Sequence, residues 1–376
     1  MLGPWCPQPP FEAKLSEIFL CKNELHETLN NLSRWMKDEH MDRMLDPFGV
    51  VLIIAPWNYP VHLFLVPLIG AIAAGNCVIV KPSEVSKKTE RLVAEALPVY
   101  LDKDCFAVVT GGMQETTRLL ENKFDYIFFS GSPPVGQIVM TAAAKHLTPV
   151  TLELGGKNPC YVSDTCDVTN VARRVAWGRF FNAGQTCIAP DYLLCSVEMQ
   201  EKLLPDFGRI VNDKQFQPSA VGMWPSGDRR TRPTPTVLAD VLPSDPAMQE
   251  KIFGPILPIV IITSMDEAID FIDSLKQPLA VYAFSSDDKV LERTSSGGFC
   301  GNDTLMHLML TSLPFGGIGN SSLGMYQGKF SFDTFSHRCA CLKRGMGQEP
   351  LNAPCYPPVL QPAEIWACPG HFQSVT

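Results

Sequence analysis

The chain has 376 residues, of which 45% are hydrophobic and 19% are charged, and its formal net charge is −8 at pH 7. A globular chain of this size buries a large core and predicts two or three domains. The negative charge and the absence of a dense Lys/Arg run argue against nucleic acid as a partner, because binding phosphates requires a basic face.

The N-terminal segment predicts helices rather than a targeting signal. Residues Phe11 to about Lys37 place apolar side chains such as Leu15, Leu25 and Leu29 at helical spacing, which is typical of helices that pack on a sheet. The residues before Phe11 lack a basic region followed by an apolar run. No secretory signal is therefore predicted.

Residues Phe48 to Val80 contain no formal charge, and two interpretations compete there. One is a membrane-spanning helix, for which the stretch is long enough. The other is a βαβ unit of a parallel sheet, which we favour because prolines and glycines interrupt the run. Its predicted elements are a strand at Val50–Ile54, a helix at about Val61–Ala74 and a strand at Cys77–Val80.

Strands alternate with helical stretches as far as Leu154, which predicts an α/β fold with a doubly wound, mostly parallel, Rossmann-like sheet. The further strands are Phe106–Thr110, Tyr126–Ser130 and Val150–Leu154, and the helical stretches are Lys88–Leu97 and Gln137–Lys145. A second α/β unit is predicted from strands near Tyr192–Ser196, Ile256–Ile262 and Leu279–Phe284 and a helix near Met265–Ser274. Two segments fit neither period and are predicted to be irregular, Gln217–Pro235 and the tail Lys343–Thr376.

One thiol, that of Cys187, follows directly after a turn that Gly184 permits. Backbone N–H groups can converge there on whatever the sulfur attacks, so Cys187 is a candidate nucleophile. The alternative is that Cys187 is a small buried hydrophobe, as most free cysteines are.

Two polar residues at strand ends are candidate partners of this thiol. Glu153 ends an apolar run before Gly155 and Gly156, where partial burial would raise its pKa toward neutrality, as a general base requires. A glutamate that is only ion-paired at a strand end is the alternative. Asn58 follows a buried strand, and its amide either donates to an oxyanion or caps the next helix.

A phosphate-binding turn is predicted where Ser130 leads through Gly131, Ser132 and Gly136 into a helix, because N–H groups at a helix start can face a diphosphate. The pattern is weak by itself because it lacks the GxGxxG spacing. Lys81 and Glu84 follow the end of another strand. Without further context, one interpretation of these two residues is a solvated pair at the end of that strand.

Together, Glu153–Pro159 and Phe181–Cys187 resemble the aldehyde dehydrogenase superfamily, and Ala55–Pro60 and Asn182–Tyr192 look like its class 3 branch, close to the lipid-aldehyde members. The similarity covers about Leu15 to His337. It implies oxidation of medium- or long-chain, or aromatic, aldehydes to carboxylic acids with NAD or NADP.

The resemblance also assigns roles to individual residues. Cys187 would form a thiohemiacetal and then, after loss of hydride to the nicotinamide, an acyl-enzyme. Asn58 would stabilise the oxyanion, and Glu153 would activate the deacylating water. The cofactor-binding residues would be Lys81, Glu84, Gly131, Ser132, Gly136, Phe253 and the residue at position 251, and the substrate pocket would include Tyr59 and Phe315. A glycine-rich turn around a core aromatic ring is the alternative for Phe315.

The domains expected from the resemblance are a dinucleotide-binding domain at 1–26 and 47–155 and a catalytic domain at 156–322. Bridging or oligomerisation segments would lie at 27–46 and 323–340, and an irregular tail at 341–376. A homodimer formed through the segment after Gly324 is implied.

Several departures mark the chain as a shortened or altered relative. Lys251 stands where the family has a glutamate that binds the nicotinamide ribose, so a cation replaces an acceptor. The family's opening helices are largely absent, and material is missing around Pro205. Two alternatives are a catalytically impaired relative that binds a partner and a cofactor-independent thiol esterase.

Cysteine usage and the C-terminal residues bear on location. The chain has 13 cysteines without CxxC pairs or His-rich clusters, so no metal site or secreted disulfide framework is predicted, and a cytoplasmic protein with free thiols is favoured. The prenylation box of the lipid-aldehyde branch is absent. Cys339 and Cys341 are either acylation sites or plain surface cysteines, so membrane association stays open.

Overall fold

The computed structural model describes residues 9–36, 43–213 and 234–340. The chain divides into two compact units, Met1–Lys37 with Leu45–His337 and Asp38–Met44 with Arg338–Thr376. The predictions for the tail and for nearly all of Gln217–Pro235 lie outside the described residues.

The described residues contain 12 α-helices and 16 strands. The helices are α1 (Pro10–Ala13), α2 (Leu20–Trp35), α3 (His62–Ala73), α4 (Lys87–Tyr100), α5 (Met113–Leu119), α6 (Pro133–Ala144), α7 (Val168–Phe180), α8 (Val197–Asn212), α9 (Pro246–Gln249), α10 (Met265–Ser274), α11 (Lys289–Arg293) and α12 (Lys329–Thr334). The strands are β1 (Arg43–Pro47), β2 (Val50–Ile54), β3 (Cys77–Lys81), β4 (Phe106–Val108), β5 (Tyr126–Ser130), β6 (Val150–Glu153), β7 (Asn158–Val162), β8 (Pro190–Cys195), β9 (Thr236–Leu238), β10 (Ile256–Ile261), β11 (Ala280–Phe284), β12 (Gly298–Gly301), β13 (Phe315–Gly316), β14 (Ser322–Leu323), β15 (Met325–Tyr326) and β16 (Ser336–Ala340). A π-helical turn, Lys14–Phe19, joins α1 to α2.

The first large sheet has the strand order β14-β6-β5-β2-β3-β4. Strands β2 to β6 are parallel, and β14 pairs antiparallel with β6. The chain moves outward from β2 to β4 and then returns to β5 on the other side of β2, so the order reverses between β2 and β5. This is the doubly wound arrangement that was predicted, and ligands bind at the carboxyl ends of strands at such a reversal.

The second large sheet is parallel throughout and has the order β12-β11-β7-β8-β10-β9. Its order reverses between β7 and β11. Every strand predicted from the sequence is present, with ends within two residues of those predicted. The prediction missed β7, α7 and α8, which lie around the glycine-rich and cysteine-containing motifs. The mixed fold class is confirmed, and α8 continues without a break through Pro205.

The uncharged stretch from Phe48 to Val80 forms the predicted βαβ unit, β2-α3-β3. Helix α3 has 12 residues, and most of its side chains are buried among others of the core. Across residues 9–36, 43–213 and 234–340, no helix combines the length and hydropathy that crossing a bilayer would require.

The face that the N-terminal helix buries differs from the predicted one. Leu25 is 42% exposed and Leu29 is 63% exposed, whereas Glu24 is buried. The Glu24 carboxylate accepts hydrogen bonds from the Gly328 N–H at 2.8 and 2.9 Å. Because this partner lies 304 residues away in the sequence, a local apolar period could not indicate which face turns inward.

Candidate active site

The predicted chemical residues gather at the carboxyl ends of the first sheet. Asn58 follows β2, Ser130 ends β5 and Glu153 ends β6, and the turn that precedes β8 brings Cys187 to the same region. The structure therefore brings the predicted thiol, amide and carboxyl group together.

The turn before Cys187 has an unusual backbone. Asn182, Ala183 and Gly184 have φ values of 51°, 53° and 74°, which lie in the left-handed region that favours glycine. A Cβ at Gly184 would also lie 2.2 Å from the Gly254 carbonyl oxygen, so only glycine fits. Cys187 is only partly buried and lines a cavity, so it is not sealed in the core.

Asn58 bonds to the turn that presents the thiol. Its Nδ2 donates to the Gln185 carbonyl at 3.0 Å, and Asn182 Nδ2 donates to the Asn58 carbonyl at 2.9 Å. The N-cap of α3 is Val61, so the interpretation of Asn58 as a helix cap is wrong. These two bonds fix the amide beside the Cys187 turn.

Glu153 is 3% exposed, and its Oε2 accepts a hydrogen bond from Ser130 Oγ at 2.7 Å. Its other oxygen, Oε1, has no hydrogen-bond partner in the described part of the chain. Burial raises the pKa of Glu153, against smaller lowering effects of Ser130, the Lys251 charge and the Cys187 thiol. No cation in the described ranges lies within ion-pair distance, so the ion-paired alternative is wrong.

The surroundings of Cys187 disfavour its thiolate form. Burial and then the neighbouring Glu153 charge raise its pKa well above the usual value, while the Lys251 charge and the Ile188 N–H lower it. A base is therefore needed before the sulfur can attack, and Glu153, whose charge and hydrogen bond act on the thiol, has suitable chemistry.

Lys251 points into this site. Its Nζ donates to the Cys187 carbonyl at 2.9 Å and lies 5.1 Å from the centroid of the Phe253 ring. Burial lowers the pKa of Lys251, against the raising effect of the Asp191 and Glu153 charges. The Phe253 ring also packs edge-on against Trp57 at 5.7 Å, a contact that the sequence analysis did not anticipate.

Buried charges fix the segment that carries Lys251. Asp191 accepts hydrogen bonds from Lys157 at 2.8 Å, from Arg179 at 2.9 Å and from the Ile252 N–H at 3.3 Å. Arg179 also donates to the Gly254 carbonyl at 2.6 Å. The network was not predicted, because its contacts join residues 12 to 75 positions apart and no local pattern connects them.

The predicted cofactor residues surround the order reversal of the first sheet. Lys81 is buried at the end of β3, and its Nζ donates to Glu84 Oε2 at 2.8 Å, while the Glu84 side chain is 46% exposed. Gly136 is buried, and a Cβ there would lie 2.5 Å from Leu154 Cδ2. Glycine at position 136 therefore lets α6 pack close to the end of β6.

The start of the helix that was predicted to face a phosphate requires a correction. The sequence predicted a helix from Gln137, but α6 begins at Pro133 directly after Ser132, which follows Gly131. Prolines at the first two helical positions have no N–H, and the Gly136 N–H already donates to the Ser132 carbonyl at 2.9 Å. The helix start thus offers fewer free donors than expected.

A narrow, mostly apolar cavity opens onto Cys187. Tyr59 and Phe315, the two predicted pocket residues, both line it, and the Tyr59 and Thr186 hydroxyls share a hydrogen bond of 2.5 Å. The Phe315 ring packs on Tyr326 at 5.3 Å. Further lining residues are Leu15, Leu20, Leu63, Trp177, Phe181, Leu305, Leu308 and Met309.

Two glutamates of the N-terminal helical segment also contact the site, and no motif in the sequence indicated them. Glu12 accepts from the Asn182 N–H at 3.0 Å, and Glu17 accepts from the His62 N–H at 2.6 Å. Burial raises the pKa of each carboxyl to about 7, against the lowering effect of these N–H donors. Glu12 thus supports the turn that presents the thiol.

No metal was predicted. Within the described ranges, no group of three or more His, Cys, Asp or Glu side chains is arranged to hold a metal ion. The groups at the site are instead a thiol, a carboxyl, an amide and an amine, which are suited to acyl chemistry.

Comparison with known proteins gives consistent matches. A model of the aldehyde dehydrogenase family matches residues 17–221 and 225–339. The chain is 58% identical to human aldehyde dehydrogenase family 3 member B1, covering 93% of this chain and 83% of that protein. It is 47% identical to the mouse dimeric NADP-preferring aldehyde dehydrogenase, covering 91% of this chain and 84% of that protein.

A solved structure extends these matches to three dimensions. The substrate-bound state of Staphylococcus aureus AldH superposes with a TM-score of 0.80 at 37% identity, covering 89% of this chain and 84% of that chain. A Mycobacterium tuberculosis aldehyde dehydrogenase complexed with NAD+ superposes with a TM-score of 0.78 at 24% identity, which supports the fold.

Proposed function

The chain belongs to the aldehyde dehydrogenase family, and we propose that it oxidises medium- or long-chain, or aromatic, aldehydes through Cys187, Asn58 and Glu153. It is an NAD(P)-dependent enzyme of that family. The observation that carries the proposal is that Cys187 lines the apolar cavity and lies beside a buried glutamate with an oxygen that has no partner in the described part of the chain.

Cys187 is the proposed nucleophile. Its sulfur attacks the aldehyde carbon to give a thiohemiacetal, after its proton passes to a base. Glu153 suits this step because burial raises its pKa toward the operating range of a general base. After oxidation the acyl group remains on the sulfur as a thioester.

Asn58 is the proposed oxyanion donor. Its amide carries two N–H groups, and one of them donates to the Gln185 carbonyl, which fixes the plane of the amide. The other N–H and the backbone N–H of Cys187 are the donors we assign to the substrate oxygen. Preorganised donors of this kind stabilise the charge that develops in the transition state.

Glu153 is also the proposed base for deacylation. The unpartnered Oε1 accepts a proton from water, and the water oxygen attacks the thioester carbon, so that the carboxylic acid leaves and the thiol is restored. Ser130 holds the opposite oxygen by a hydrogen bond of 2.7 Å, which orients the carboxyl group.

NAD(P) supplies the hydride acceptor when it is bound. Lys81 and Glu84 suit the hydroxyls of the adenosine ribose because an ammonium and a carboxylate lie paired at the sheet edge. Gly131, Ser132 and Gly136 are assigned to the diphosphate. The nicotinamide end fits less well, since Lys251 donates where a ribose hydroxyl would need an acceptor.

The substrate class follows from the cavity lining. The walls near Tyr59 and Phe315 are apolar and include several aromatic rings, which favour an aldehyde with an alkyl chain or an aromatic ring. Use of both NAD and NADP is part of the proposal, supported by the mouse NADP-preferring relative.

The arrangement of domains, the assembly and the location remain proposals. We propose a dinucleotide-binding domain at 1–26 and 47–155, a catalytic domain at 156–322 and bridging segments at 27–46 and 323–340. Support comes from the parallel strands of the first large sheet, which lie within 47–155, and from the strands of the second, which lie within 156–322. A homodimer is supported by the name of the mouse relative. A cytoplasmic location, with or without membrane association, completes the proposal.

The test is oxidation of octanal or benzaldehyde by the purified full-length chain with NAD+ or NADP+, followed by absorbance of the reduced cofactor. Turnover that is lost in Cys187→Ser supports the proposal. Lys251→Glu is expected to lower the KM for the cofactor, because it restores an acceptor at the ribose. No turnover in either the wild type or Lys251→Glu, with both correctly folded, contradicts it.

A further inference from the structure

The amine of Lys251 lies in a place that a role at the nicotinamide ribose does not explain. Its Nζ is 2.9 Å from the backbone oxygen of Cys187. It is also so close to Gly155 that a Cβ there would lie 2.4 Å from Nζ. The amine therefore stands beside the residue that bears the nucleophilic sulfur, with Glu153 as a charged neighbour.

The surroundings hold the amine in this place. The Phe253 ring lies under Nζ at 5.1 Å, and Asp191 holds the adjoining Ile252 N–H at 3.3 Å. Burial lowers the pKa of Lys251. A partly desolvated lysine is more often neutral, and the neutral amine is the nucleophile.

We propose that Lys251 is an internal acyl acceptor, to which the acyl group carried by Cys187 as a thioester is transferred to give an Nε-acyl-lysine. The inference rests on the proposed function, because that function makes Cys187 the site of the thioester. The modifying group is the fatty or aromatic acyl chain of the substrate.

The transfer balances without any further reagent. The lone pair of neutral Nζ attacks the acyl carbon, a C–N bond forms, the C–S bond breaks, and Cys187 leaves as a thiolate. One proton passes from the nitrogen to the Glu153 carboxylate or to the sulfur. The product is an amide, which resists hydrolysis more than a thioester does, and Lys251 can no longer take up a proton to become charged.

Lys251 thus competes with water for the same acyl group. Both nucleophiles attack the same thioester carbon, so each turnover partitions between release of the acid and acylation of the lysine. A second lysine provides a matched control, because Lys157 Nζ already donates to Asp191, to the Ala247 carbonyl and to the Glu250 carbonyl. We expect no acyl group on Lys157.

The experiment uses the full-length protein and p-nitrophenyl octanoate, an activated ester that acylates a thiol without a cofactor. Samples are treated with neutral hydroxylamine, which cleaves thioesters and leaves amides, and are mapped by peptide mass spectrometry. We expect a labile octanoyl group on Cys187 first and a resistant one on Lys251 later. In Lys251→Arg, which keeps the charge, only the labile adduct is expected.

The possible contrary results are distinct. A labile adduct on Cys187 with none on Lys251 overturns the transfer and leaves the proposed function standing. No adduct on Cys187 contradicts both. Octanoyl-Lys251 formed at the wild-type rate in a folded Cys187→Ala variant means direct acylation by the ester, which also overturns the transfer. If Cys187→Ala does not fold, the order of appearance in the wild type decides between relay and direct attack.

Discussion

Glu17 offers a measurable consequence of burying a carboxyl group beneath the candidate site. It is 1% exposed, and one oxygen accepts from the Val61 and His62 N–H groups at 3.0 and 2.6 Å, while the other has no partner within the described part of the chain. Glu17→Gln keeps an oxygen for both N–H groups and removes the ionisable proton. We expect its effect on stability to depend on pH.

The magnitude follows from the pKa, which burial raises from 4.5 to about 7 in the folded protein, against the lowering effect of the two N–H donors. Below pH 4.5 both states are protonated, and the carboxyl group adds no pH dependence. Between the two values the unfolded chain ionises first, so the free energy of unfolding falls as the pH rises, and the loss is complete above about 7. From pH 5 to pH 8 the loss is about 2.5 kcal/mol.

The assay is thermal unfolding of the wild type and Glu17→Gln at pH 5 and pH 8, with exposed Glu198→Gln as a control. The melting temperature of Glu17→Gln relative to the wild type should rise by about 3 °C between the two pH values, given the unfolding entropy of a chain of this size. The control should keep a constant difference. An equal difference at both pH values for Glu17→Gln, or one of opposite sign, would refute the reasoning.

Three further predictions concern the site. Asn58→Ala should lower kcat about 100- to 1,000-fold with the melting temperature little changed, because it removes an oxyanion donor; an unchanged kcat would contradict the role. Alkylation of Cys187 by iodoacetamide should keep accelerating above pH 9, since burial and the Glu153 charge raise its pKa; a plateau below pH 8 would oppose this. Gly184→Ala should lower the free energy of unfolding by at least about 1 kcal/mol, because alanine is strained in the left-handed conformation of this position. Denaturant titration measures this free energy.

The sheets could be predicted because strands buried on both faces are continuous apolar runs. Val50–Ile54 and Tyr126–Ser130 have the predicted bounds, and turns with glycine or proline separate them from helices. Strand β7 was missed because its run begins with Asn158 and Pro159, residues that rarely open a strand.

The thiol, amide and carboxyl group could also be predicted, because each follows an element end that the apolar pattern marks. What the pattern could not give was long-range pairing. The prediction of which face of α2 is buried was wrong, because the Glu24 carboxylate accepts a hydrogen bond from an N–H group 304 residues away. Lys251 is unusual in the sequence because the family resemblance implies a glutamate there. Its hydrogen bond to the Cys187 carbonyl could not be predicted, because that bond depends on the contact between Asp191 and the Ile252 N–H.

The central claim is that Cys187 carries the acyl group during aldehyde oxidation. The wild-type protein, mixed with octanal and NAD+ or NADP+ and quenched with acid during the first turnover, should carry a hydroxylamine-labile octanoyl group on Cys187 once reduced cofactor has formed, because the acyl group stays on the sulfur until it is transferred to a second nucleophile. Reduced cofactor formed with no acyl group on Cys187, or with the labile group on a different cysteine, would contradict the account.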